Sequence, residues 1–173
     1  MKEVVIYAKY PELVYDIENI THQIARHRTQ MSVEDQFTMQ TSDTETDTAF
    51  VKRSMDRAYN KVRKAVSSVL TEESWGYGDD DLKLAETDGY YLYATVRDTF
   101  NQAKTEAAAM AFHDFIVNSS VFDWLLISKP DEAAIYKQLM EDNLSELKST
   151  LTDRAGFYTI DPFPKFEERN YNR

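Results

Sequence analysis

The strongest constraint in this sequence is a pair of helical segments joined by a very short turn. Apolar side chains recur at helical spacing over residues 101–127, and the pattern resumes after the turn to about residue 154. The apolar residues of the second segment are Ala133, Tyr136, Met140, Leu144, Leu147 and Leu151. Only residues 128–131 separate the two segments, so the helices must lie antiparallel. Ser128, with Asp131 three residues on, resembles a capping box for the second helix.

The rest of the chain predicts two more helices and a small sheet. The chain has only 4 Gly and 4 Pro in 173 residues, which favours long regular elements. The expected order is strand 3–10, helix 11–28, polar loop 30–48, helix 48–71, connection 72–88 and strand 89–100. Asp47 would cap the helix 48–71, and the connection would contain a short strand at 82–86. The strands 3–10 and 89–100 are expected to pair. The fold class is therefore mainly α: an antiparallel bundle of about four helices with a two- to three-stranded β element, in one domain of residues 1–154.

Residues 155–173 form a separate aromatic, proline-interrupted tail, which we call the arm. Pro162 and Pro164 exclude a helix or a central strand there and favour an extended chain. Two interpretations stay open, because the arm could fold back on its own bundle or dock on a neighbouring subunit. The candidate partner-binding residues of the arm are Phe157, Tyr158, Ile160, Phe163, Phe166 and Tyr171.

A basic stripe is the one positive cluster of note. It consists of Arg53, Arg57, Lys61 and Lys64, spaced to share one helix face. Such a face can contact DNA phosphates or an acidic protein partner. The alternative is a solvated face whose charges pair with nearby Asp and Glu side chains.

Signals for catalysis, metals and cofactors are weak. The acidic run Asp79 to Asp81 is better explained as a solvated loop than as a two-metal site, and His113-Asp114 has only His22 and His27 as further histidines. The chain has no cysteine and no Gly-rich phosphate loop, and its net charge of −10 argues against non-specific nucleic-acid binding. We therefore expect no enzyme, no metal site and no cofactor. We also expect no signal peptide and no membrane association.

The helix pair carries a family resemblance. Its core reads Phe115-Ile116-Val117-Asn118, then Trp124, then Pro130-Asp131-Glu132-Ala133 and Tyr136, and closes at Leu151-Thr152-Asp153-Arg154. With the preceding order of strand, helix, loop, long helix and Tyr-rich strand, residues 1–154 resemble small head–tail connector, or neck, proteins of phages and prophages of gut Bacteroidetes. The arm and residues 30–48 have no counterpart in that pattern.

The resemblance implies a structural virion protein. Copies would form a homo-oligomeric ring, with twelve-fold symmetry as one option, between the portal protein and other neck or tail proteins. Genomic DNA would pass through the channel without specific binding. The protein would be located at the head–tail junction of the virion, and in the host cytoplasm during assembly. The alternative is another non-catalytic phage interaction module, such as a tail-completion, assembly or regulatory protein.

Overall fold

A computed structural model describes residues 1–26, 41, 45–71, 88–98 and 100–152. These residues form four helices and a two-stranded antiparallel sheet, which confirms the predicted mainly α class. The elements are β1 (Lys2–Lys9), α1 (Tyr10–Arg26), α2 (Glu45–Ala65), β2 (Gly89–Val96), α3 (Gln102–Ser128) and α4 (Pro130–Thr152). The predicted strand 82–86, most of the polar loop 30–48 and the arm lie outside the described residues.

Helix α3 is the centre of the fold. Asn101 caps it, because the Asn101 side chain accepts a hydrogen bond of 3.0 Å from the backbone N–H of Lys104. Most of its residues from 115 to 121 are buried, and Phe112, Ile116 and Val121 are fully buried. A helix that is apolar around its whole circumference needs neighbours on every side. Accordingly, α3 contacts α1, α2, α4 and β1.

Helix α4 runs back along α3 as the short link predicts. A single residue, Lys129, separates the two helices, and α4 buries Ala133, Leu147 and Leu151. The predicted capping box is wrong. The Ser128 hydroxyl donates to the carbonyl of Trp124 at 3.1 Å, so it bonds the last turn of its own helix instead of the next one.

Strands β1 and β2 pair in one register over their whole length. Ile6 lies opposite Leu92 and Val4 opposite Ala94. Ile6 and Leu92 are buried, while Val5, the residue before Ile6 in β1, is half exposed, as the two-residue repeat of a strand requires. The predicted pairing of the first strand with the Tyr-rich strand is therefore confirmed.

The predicted boundaries of α2 are wrong at both ends. The helix starts at Glu45, so Asp47 lies inside its first turn and is not its cap. It ends at Ala65, and after a turn Leu70 forms a bridge with Ala94 of β2. Two backbone hydrogen bonds hold this segment: Thr71 N–H to the carbonyl of Tyr93 at 2.9 Å, and Thr95 N–H to the carbonyl of Val69 at 2.7 Å. Pairing with β2 therefore overrides the helical pattern of residues 66–71.

Candidate interaction surfaces

One edge of β2 is partly bonded by groups outside the sheet, and these bonds show which way the backbone groups of β2 point. The carbonyl of Tyr93 and the N–H of Thr95 bond residues 69–71, on the side away from β1. The carbonyl of Tyr91, on the same side, accepts a hydrogen bond of 2.7 Å from the Tyr59 hydroxyl. The backbone N–H and C=O groups of the odd-numbered residues of β2 therefore point away from β1, and those of the even-numbered residues bond to β1.

The opposite edge of the sheet is open. The register assigns the bonds to β2 to the even-numbered residues of β1, such as Ile6 opposite Leu92. Glu3, Val5 and Tyr7 then point their N–H and C=O groups outward. No described residue pairs with this side of β1, and Glu3 and Val5 are exposed. We call residues 3–7 the free edge.

An aromatic row covers the outer face of the sheet beside this edge. The rings of Tyr7 and Tyr91 stack with centroids 4.3 Å apart, and the rings of Tyr91 and Tyr93 are 6.4 Å apart. The Tyr7 hydroxyl donates to the carbonyl of Asp88 at 2.8 Å, which fixes the first ring. The three rings are only partly buried, and partly accessible aromatic side chains of this kind are common at binding surfaces. The sequence pattern predicted the strands but not this row, whose formation depends on the register.

The basic stripe lies on the exposed side of α2. Arg53, Arg57, Lys61 and Lys64 are all exposed. Arg57 reaches Asp123 of α3 at 3.8 Å, while Lys61 and Lys64 have no ion pair with any described residue. The contact of the basic stripe with DNA or an acidic protein stays a prediction.

A group of exposed apolar side chains lies at the turn between α3 and α4 and on the outer side of α4. Ile127 is 71% and Ile135 65% exposed. The full group, which we call the turn-end group, is Leu126, Ile127, Ile135 and Leu139. In α4 the buried residues occupy the other side of the helix, so Ile135 contributes nothing to the core of the single chain.

A shallow groove between α1 and α3 contains the one histidine that the sequence singled out. It is lined by Pro11, Glu12, Tyr15, Asp16 and His113, and the His113 Nε2 lies 2.8 Å from the Asp16 Oδ2. The neighbouring carboxyl group has a raised pKa: burial raises the pKa of Asp114, the charge of His113 lowers it, and that of Asp16 raises it. The Asp16–His113 pair joins α1 to α3.

Within the described ranges, no group of three or more His, Cys, Asp or Glu side chains could hold a metal ion. Over the same ranges, no helix is both long and apolar enough to cross a membrane. The acidic run Asp79 to Asp81 and all six candidate residues of the arm lie outside the described residues, so their roles stay predictions.

Two polar contacts, one buried and one partly buried, hold α2 against its neighbours. The Tyr90 hydroxyl donates to the Asp56 Oδ1 at 2.8 Å, and the Ser54 hydroxyl to the Asp123 Oδ2 at 2.6 Å. Burial first, and then the hydrogen bond to Asp56, raise the pKa of Tyr90 far above its usual range. Both contacts link elements distant in sequence and are structural in character.

No protein-family profile, curated protein or solved structure matches this chain.

Proposed function

We propose that the protein is a structural, ring-forming subunit of a phage neck that connects the portal protein to the tail. The observation that supports this best is the presence of two unlike open surfaces, the free edge with its aromatic row and the turn-end group. Ring formation requires head-to-tail contacts, in which one surface of a subunit meets a different surface of the next.

The two surfaces lie at different levels of α3. The sheet packs near Phe112, because the ring of Tyr59 contacts both Tyr90 of β2 and Phe112 of α3, at 5.0 and 6.3 Å. Ile127 lies fifteen residues further along the same helix, which corresponds to about 22 Å along the axis. A subunit whose two docking surfaces are separated in this way can use each of them for a different neighbour.

The charge of the chain is consistent with a channel wall. A net charge of −10 opposes tight binding of DNA, which must move through a neck without sticking. The basic stripe on α2 then suits an acidic protein partner, such as a neighbouring subunit or the portal. This assignment of the stripe is part of the proposal.

The test is imaging of the full chain alone and after co-expression with the portal protein that the proposal requires in the same genome. Closed rings stacked on the portal are expected, even if the isolated chain remains monomeric. A chain that stays monomeric and does not bind the portal would contradict the proposal and favour the alternative interaction module.

A substitution at the turn-end group tests the same proposal. Ile127→Glu should abolish ring formation, because it places a charge in an apolar contact. Gln138→Glu, at an exposed position of α4, is the matched control and should leave the rings intact. Circular dichroism of both variants verifies that the fold is unchanged.

A further inference from the structure

We propose that the free edge of β1 receives residues 157–161 of the arm of a second copy, which add to the sheet as an extra strand. This inference rests on the proposed function only in naming the ring neighbour as the second copy. It identifies the acceptor for the arm, which the sequence alone leaves open.

The backbone of the free edge provides the binding groups. Glu3, Val5 and Tyr7 each point one N–H and one C=O outward, as the register with β2 requires. Strand addition to such an edge gains its affinity from main-chain hydrogen bonds and its specificity from alternating side chains. Residues 3–7 offer a five-residue stretch for this pairing.

The arm contains a segment of matching length and chemistry. Phe157, Tyr158, Thr159 and Ile160 are aromatic or β-branched, the residue types that favour strands. Pro162 has no backbone N–H and therefore ends the stretch that can pair. The segment 157–161 thus has five residues, as many as the free edge. The far edge of β2, by contrast, already bonds residues 69–71.

The side chains beside the edge suit this segment. Val5 is 50% exposed and lies next to the stacked rings of Tyr7 and Tyr91, so an added aromatic side chain would extend the row. Lys2 and Lys9 stand at the two ends of β1, and Asp161 closes the segment. A lysine is therefore close to Asp161 whichever way the added strand runs.

A second copy is the favoured source of the segment. Among the described residues of the single chain, Glu3 and Val5 are exposed and no segment pairs with this side of β1. Beyond Thr152 the chain continues for 21 residues to Arg173, which could extend over about 70 Å. That reach is sufficient to span to an adjacent subunit.

Cysteine cross-linking of the full chain tests the inference, because the natural sequence has no cysteine. One preparation carries Val5→Cys, and a second carries a single cysteine at one position of 157–161. Mixed under oxidising conditions, the pairs should give cross-linked dimers at every second arm position, because alternate residues of a strand face the same side. A chain with both cysteines that gives only an internal disulfide would show that its own arm occupies the edge.

The control is a proline scan of the arm, which leaves the folded domain untouched. Ile160→Pro should abolish the cross-link by removing an N–H from the added strand, while Lys165→Pro should not. Cross-links without a two-residue period would indicate docking in a groove and overturn strand addition. Rings that form with no cross-link at any position would overturn this inference alone. A chain that cross-links in dimers but never assembles into rings would overturn the proposed ring-forming function.

Discussion

Replacing Tyr90 by phenylalanine should lower the free energy of unfolding by about 1.5–3 kcal/mol, the value of a hydrogen bond to a charged group. The Tyr90 hydroxyl donates to the Asp56 Oδ1 at 2.8 Å. Tyr90 is 1% and Asp56 9% exposed, so the carboxylate cannot regain the lost bond from bulk water. For a chain of this size the change corresponds to a drop in Tm of roughly 3–12 °C.

A double-mutant cycle separates the hydrogen bond from other effects of the substitution. Tyr90→Phe, Asp56→Ala and the double variant are compared by urea unfolding, and the coupling energy should be about 1.5–3 kcal/mol. Tyr15→Phe is the control, since Tyr15 is 64% exposed, and it should change stability by less than about 0.5 kcal/mol. A coupling energy below about 0.5 kcal/mol would refute the claim that this bond fastens β2 to α2.

The same bond predicts a pH dependence. Because the pKa of Tyr90 is raised in the folded state, the folded chain keeps its proton while the unfolded chain loses it near the ordinary value of 10.0. The stabilising contribution is therefore complete below pH 10 and decreases as the pH rises above it. Tyr90→Phe should show a smaller loss of stability between pH 9 and 11 than the natural chain; equal losses would contradict the assignment.

Three other substitutions test other parts of the structure. Gly89→Ala should lower the free energy of unfolding by about 1–3 kcal/mol or more, because φ is +155° and an added Cβ would lie 2.2 Å from the carbonyl oxygen of Ala8. An unchanged midpoint of urea unfolding would refute this. Asp114→Asn should raise the Tm at pH 7 but not at pH 3. The pKa of Asp114 is raised in the folded state, so the natural chain loses stability as the pH rises and this carboxyl group ionises. An equal gain in Tm at both pH values would exclude this cause. Lys61→Glu combined with Lys64→Glu should change stability by less than about 0.5 kcal/mol, because both lysines are exposed, yet weaken portal binding. The control is Lys148→Glu, at an exposed position of α4. Binding as strong as that of the control would exclude the basic stripe from the interface.

The sequence predicts most of the architecture because its signals are local. Helical spacing locates α1, α3 and α4 to within a few residues. Alternation locates β2, and β-branched and aromatic residues locate β1. Residues 66–71 were predicted wrongly because Val66, Val69 and Leu70 fit either a helix or a strand, and the backbone of β2 decides between them. The capping box failed for a similar reason, since the Ser128 hydroxyl has a nearer acceptor in its own helix.

The interaction surfaces are harder to foresee than the elements that carry them. The stripe could be predicted, because four charges on one helix are a local pattern. The free edge could not be predicted from the sequence, because it depends on which segments bond to each side of β2. The stacked row from Tyr7 to Tyr93 depends in the same way on a register between strands more than eighty residues apart.

The register of β1 with β2 also determines when the newly synthesised chain can form its sheet. Lys2 pairs with Val96, so the first strand has no partner until ninety-four more residues have been synthesised. At typical rates of translation this takes roughly 5–20 s. During that time both edges of β1 are unpaired and can meet the same strand in nascent chains on neighbouring ribosomes. Synthesis of this protein at high density should therefore be sensitive to aggregation through its first nine residues, before the core has formed.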